Sequence, residues 1–230
     1  MLRKKSIEAL PSKAAGNAGI MLLLIVIFGI VLRLAFFSGI GTSDDLAYTS
    51  YAYSLIKGEI RQDTLSLSTR LGLIYPVSIL YSILGVNDLS SVLFVLLAAI
   101  GNIILIFYFG KLLFSEKIGL MSAFLLSFFP LEVVYSTKLL SDLPSAFFMA
   151  LGVYLFLYSE KKKPNSILYL FSGISIGIGY LIRESALLIA LFFAFYILYK
   201  GQIKKQYFLV PLGVLSVLAI EAFVFYKLTG

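Results

Sequence analysis

The chain has 230 residues, 60% of them hydrophobic and only 13% charged, with a mean hydropathy of +0.98; soluble domains carry about a quarter charged residues, so a soluble globular fold is excluded. It has no cysteine and no histidine, which removes disulfides, thiolate chemistry, Ser-His nucleophile pairs and the commonest general base and metal ligand. The formal charge of +7 does not point to nucleic acid, because the basic residues form short clusters between apolar runs, the pattern of cytoplasmic retention in membrane proteins.

A basic leader, 1–18, carries Arg3, Lys4, Lys5 and Lys13 and precedes GIMLLLIVIFGIVLRLAFF at 19–37. That run is too long for a signal-peptide core and lacks a small-residue cleavage site, so it reads as a retained first span. Arg33 near its end is expected to snorkel toward the surface. SGIGTSDDLAYTSYAYSLIKGE follows at 38–59. Here Thr42 or Ser43 can cap a helix whose first turn holds Asp44 and Asp45, and Gly58 after Lys57 stops it. Asp44, Tyr48, Tyr51 and Leu55 share one stripe of that helix, with tyrosines suited to a membrane boundary. Taken alone, the two acids fit a plain complement to the helix dipole equally well.

The segment LGLIYPVSILYSILG at 71–85 is short for a span and carries Pro76. Charge bias arbitrates. If it does not cross, Lys111, Lys117, Lys161, Lys162, Lys163, Lys200, Lys204 and Lys205 join the leader on the cytoplasmic side; if it crosses, those eight fall outside. We therefore expect an interfacial or re-entrant helix there, within a long outer loop over 38–89. Further spans are expected at about 90–109, 118–136, 143–159, 166–182, 185–199 and 207–226. The expected fold is an all-α polytopic membrane protein of about seven transmembrane helices, one membrane domain over 1–230 with a cytoplasmic N-terminus.

This topology carries Asp44, Asp45, Arg70, Lys138, Asp142, Arg183 and Glu184 to the outer side, with Glu132 and Glu221 in the outer thirds of their spans. Ionisable groups at membrane depth cost a few kcal/mol or more each, so by default they line a common cavity. Plainer roles compete. Arg183 and Glu184 can pair with each other, Glu132 can satisfy backbone freed by Pro130, and Asp142 before Pro144 can complement a helix start. Gly173, Gly177 and Gly179 are expected to allow close helix packing, and Lys161 to Lys163 to act as a topology signal.

The order of these features resembles the GT-C glycosyltransferases, nearest the branch of protein O-mannosyltransferases and bacterial aminoarabinose-lipid transferases. The resemblance rests on the first span, on the acidic pair with Tyr48 and LIKGE, and on RLGLIYPVSILYSILG, which is similar to a lipid-facing outer helix with Arg70 and Pro76 at altered spacing. It rests also on YSTKLLSDLPSAFF, with Asp142 and Pro144, and on GIGYLIRES, with Arg183. It implies an inverting transfer of a sugar from a polyprenyl-phosphate carrier to an acceptor hydroxyl of a protein, lipid or glycan on the extracytoplasmic face. In that scheme Asp44, Asp45 and Asp142 form the catalytic set, with Asp44 matching the family's proton acceptor. Arg70, Lys138 and Arg183 stabilise the phosphate, and Tyr48 and Glu221 complete the substrate site.

No cofactor is implied with certainty; a divalent cation held through Asp142 would be Mg- or Mn-like, since oxygen donors favour hard ions. No D-x-D pair is present, so direct use of a sugar nucleotide is disfavoured. Family members typically continue with further spans and often an outer soluble domain, so the likeness covers the seven-span module. Two forms stay open, part of a longer chain or a compact protein that takes acceptor recognition from a protein partner. The competing functions are a noncatalytic membrane subunit and a protein that binds or transports the lipid carrier without transferring sugar.

Overall fold

The computed structural model describes residues 13–41, 43–59, 70–162 and 164–229. Arg3, Lys4, Lys5, Thr42 and Lys163 lie outside the described residues. Within them the regular structure is helical: α1 (Lys13–Ala35), α2 (Asp44–Ile56), α3 (Leu71–Leu84), α4 (Asp88–Leu113), α5 (Glu116–Phe128), α6 (Pro130–Tyr135), α7 (Asp142–Lys161), α8 (Ser166–Ile182), α9 (Ile189–Lys200) and α10 (Leu209–Thr229). Short 3-10 turns, Glu184–Leu188 and Lys205–Phe208, lead into α9 and α10. The chain is an all-α polytopic membrane protein. Among the described residues four helices are long and apolar enough to cross a bilayer by length and composition: Asn17–Ala35, Asp88–Leu113, Asp142–Lys161 and Lys205–Val224. Leu71–Leu84 and Ser166–Ile182 are shorter apolar helices.

Two expected spans are not continuous helices. The stretch 118–136 breaks at Phe129, whose extended backbone separates α5 from α6, because Pro130 has no N–H to offer the preceding turn. The stretch 185–199 opens as the tight turn Glu184–Leu188 before α9 begins. Elsewhere the helix starts follow their side chains. Asn87 and Ser90 form a reciprocal capping box at α4, while Ser115 and Asn165 accept backbone N–H groups at the starts of α5 and α8, each such cap contributing about 1 kcal/mol.

The helices gather at two ends. At one, Ser38 beyond α1 meets Thr137 beyond α6, Arg70 joins α2 to the start of α7, and Arg183 joins the end of α8 to that same start. At the other, Lys111 at the end of α4 pairs with Glu116 at the start of α5 at 2.6 Å, and Lys161 at the end of α7 reaches Leu112 O. We call these the Asp44 end, after the first residue of α2, and the Glu160 end, after the acid next to Lys161 in the last turn of α7. The α3 helix does not run between them. Its Gly72 lies against Leu181 and Ile182 of α8, and its Tyr81 hydroxyl bonds Ser91 near the start of α4 at 2.6 Å. Both its ends therefore belong to the Asp44 end.

A core of Tyr48, Leu73, Val77, Val95, Leu139 and Ile182 locks α2 and α3 onto α4 and α8. The long helices meet along glycine seams. A Cβ on Gly110 would stand 2.5 Å from Gly119 Cα, and one on Gly173 2.0 Å from Val210 O, so α4 and α5, and α8 and α10, touch backbone to backbone. Ser172 Oγ donates to Gly152 O at 2.7 Å and Ser145 Oγ to Gly179 O at 3.1 Å, riveting α7 to α8.

Candidate functional site

The acidic pair splits between two environments. Asp44 is exposed at the first turn of α2, whereas Asp45 is buried, its Oδ2 accepting the Gly41 N–H at 3.1 Å. Burial pushes the Asp45 carboxyl above its ordinary value of 3.8; the Gly41 bond and the Lys138 charge oppose the rise, and Asp44 adds to it. Ser43 stands at the N-cap, but its hydroxyl makes no capping bond and its φ is +70°. A β-carbon disfavours that left-handed conformation by roughly 1–2 kcal/mol. The strained residue directly precedes Asp44. At the far end of α2, Lys57 is the C-cap and Gly58 follows at φ +76°, a conformation glycine adopts freely.

One turn along α2, Tyr48 is 1% exposed. It faces α3 instead of a membrane boundary, and its hydroxyl accepts from Arg70 Nη1, which also donates to Ser141 Oγ at 3.0 Å. Burial raises the Tyr48 phenol, with Arg70 opposing, so Tyr48 stays a neutral partner for the guanidinium. Arg70 Nε is buried with no protein acceptor. Beside it, Arg183 forms an ion pair with Asp142 in which both side chains remain partly exposed. The alternative expected from sequence, pairing of Arg183 with Glu184, gives way to this longer-range contact, and Glu184 is exposed in the turn beyond. Lys138 is half-buried with its charge directed to Asp45.

Asp44, Asp45, Tyr48, Arg70, Lys138, Ser141, Asp142 and Arg183 thus occupy one end of the bundle. Ser141 was not foreseen; its only sequence mark is its place before Asp142. The charge of Glu221 of α10 bears on Tyr75 of α3, whose phenol is raised first by burial and then by Glu221. Arg33 does not snorkel. It is wholly buried, and Nη1 donates to Gly29 O and Ser127 O at 3.0 Å each, because Glu132 supplies a countercharge inside the bundle.

Among the described residues no three acidic side chains come together to hold a metal ion, and Asp142 is already engaged by Arg183. What the arrangement offers is an exposed carboxylate at the same end of the bundle as three cations, one of them with an unspent buried donor. Such a set can take a proton from a hydroxyl and neutralise an anionic leaving group.

A family profile described as dolichyl-phosphate-mannose-protein mannosyltransferase matches residues 71–226. The chain belongs to that family. The matched region of this mannosyltransferase-family protein includes Lys138, Asp142 and Arg183 and begins just beyond Arg70, so the α2 residues Asp44, Asp45 and Tyr48 lie outside it. No curated protein and no solved structure matches the chain. Family and composition together make it an integral membrane protein of glycosyltransferase type.

Proposed function

We propose that the protein is an inverting glycosyltransferase that moves a sugar from a polyprenyl-phosphate carrier to an acceptor hydroxyl on the extracytoplasmic face. The observation that supports this reading is the presence of Asp44, Arg70, Lys138 and Arg183 at one end of a chain of this family. The acceptor oxygen attacks the anomeric carbon, its proton passes to Asp44, and the bond from that carbon to the phosphate oxygen breaks. The departing polyprenyl phosphate keeps its negative charge and needs no proton, because Arg70, Arg183 and Lys138 face it. Tyr48 and Ser141 hold the Arg70 guanidinium from one side, leaving Nε for a phosphate oxygen. Asp142 orients Arg183, and Asp45 fixes the loop at Gly41 and steadies Lys138. No step runs through a metal ion.

Orientation follows from charge. Lys111, Lys161 and Lys204 cluster at the Glu160 end, which the bias of basic residues assigns to the cytoplasm. The alternation of ends supports seven crossings, with α5 and α6 together making one and the turn with α9 another, and with α3 lying along the outer surface.

The test uses purified protein in lipid nanodiscs with a radiolabelled polyprenyl-phosphate mannose and a serine- and threonine-containing peptide or a lipid as acceptor. Label appearing on the acceptor supports transfer. Saturable carrier binding with no release of sugar would replace it with the carrier-binding reading, and activity appearing only with a copurifying subunit would make the chain a partner-dependent component.

A further inference from the structure

The segment 136–142 carries Lys138, Ser141 and Asp142, yet little of its own structure holds it. The preceding α6 is six residues long with Val133 its only buried side chain, too short to be stable by itself. What lies beneath is a buried polar group from three other parts of the chain. The α5–α6 break removes the backbone donor that Ser127 O would have in a continuous helix, and Arg33 Nη1 takes its place. The same guanidinium faces the Glu132 carboxylate, and the Asn102 side chain is set toward that carboxylate. Asn102 Nδ2 also donates to Leu143 O at 3.4 Å. Asn102 therefore touches both sides of the site segment, at Glu132 before it and at Leu143 after it.

Asn102, Glu132 and Leu143 border a recess of about 240 Å³ directly below the start of α7. Arg33 Nε and Nη2 and Glu132 Oε1 are buried without hydrogen-bond partners. Two opposite charges kept from full mutual satisfaction are an expensive arrangement for stability alone, since apolar residues of similar size commonly serve as well or better.

We propose that Arg33, Glu132 and Asn102 form a positioning unit that holds Lys138, Ser141 and Asp142 in register with Arg70 and Arg183, acting through the segment 136–142 without touching substrate. The assignment rests on the transferase reading for its kinetic consequence, whereas its structural consequence is independent of it. Removing both charges together as Arg33→Met/Glu132→Met leaves no orphaned ion, so the fold survives while the register loosens.

The experiment exploits the absence of cysteine in the chain. Ser38→Cys and Thr137→Cys replace two hydroxyls 3.0 Å apart, so the rate at which they form a disulfide reports where residue 137 sits. In the Arg33→Met/Glu132→Met background this rate is expected to fall severalfold. In the same background with Ser38 and Thr137 intact, the sugar-transfer rate is expected to fall about 10²-fold, the scale of an ångström of misplacement. The melting temperature stays near wild type, and the single variant Arg33→Lys recovers part of both rates. Unchanged disulfide and transfer rates in a folded double variant would overturn the proposal. Slower disulfide formation in a protein that shows no transfer even as wild type would uphold the positioning unit and remove the transferase reading. Should the double variant fail to fold, Asn102→Leu gives the same two readouts with the same meaning.

Discussion

The two ends of the bundle use charge in opposite ways. At the Glu160 end a single carboxylate, 6% exposed, accepts hydrogen bonds from Tyr169, Tyr196, Tyr207 and both ways from Lys204, the last at 2.9 Å. Every lone pair has a donor, and α7, α8, α9 and the start of α10 are tied together by it. At the Asp44 end the Asp142 carboxylate and the Arg183 guanidinium are half-exposed, Asp44 among the described residues meets a neighbouring hydroxyl at 3.4 Å, and Arg70 keeps a donor unspent. A saturated cluster has nothing left to give a ligand and so contributes stability. A cluster with free valences is destabilising until something binds, and this is the property on which our proposal for the Asp44 end draws.

Substitutions at the two ends should therefore fail in different ways. The largest effect is expected for Asp44→Asn, which removes the proton acceptor and should lower sugar transfer by about 10³–10⁴-fold while the melting temperature in detergent stays put. Near-wild-type transfer by this variant would remove Asp44 from the mechanism. Glu160→Ala should do the reverse, costing about 3–5 kcal/mol by leaving Lys204 and three phenols without their acceptor. Its melting temperature should drop sharply, with the folded fraction still transferring sugar at close to the normal rate. Arg183→Gln should lower transfer by about 10²-fold through loss of charge stabilisation, with Asp142→Asn close behind because Arg183 is then less well aimed; a fall in stability without a fall in rate would move this pair to the structural side.

The smallest effect concerns pH. The Asp45 carboxyl is raised by burial, so the folded state holds that proton more tightly than the unfolded chain does. Its contribution to stability is present when Asp45 is protonated and is lost as pH rises from the ordinary 3.8 through the raised value. Asp45→Asn should flatten the dependence of melting temperature on pH in that window, and an unaltered slope would show that Asp45 is not the group responsible.

Local patterns made much of this visible from sequence, and long-range partners hid the rest. The acids, tyrosines and glycine stop of α2 lie within one helix length, and the lateral helix follows from the shortness of 71–85 and the placing of lysines. Pro130 announced a break, though not that it would split 118–136 into α5 and α6. Arg33 was misread because a lone arginine near a helix end ordinarily snorkels, and its countercharge Glu132 belongs to a helix much later in the chain. Glu160 was overlooked beside Lys161 to Lys163, whose reading as an orientation signal masked it. Three of its four partners come from α9 and beyond. Arg183 and Glu184 are adjacent in sequence, but α8 ends at Ile182 and Arg183 is extended, which turns its side chain to Asp142.

The seam at Gly173 and Gly213 gives the molecule a mechanical property. These glycines press α8 against α10 at Val210 and Leu170, ten residues and hence about 15 Å below Arg183. The bearing point of the lever is therefore at one depth and its working tip at another. A single methyl added at Gly173 would tilt the whole arm, and the guanidinium at its far end would swing through a larger arc than the methyl itself occupies.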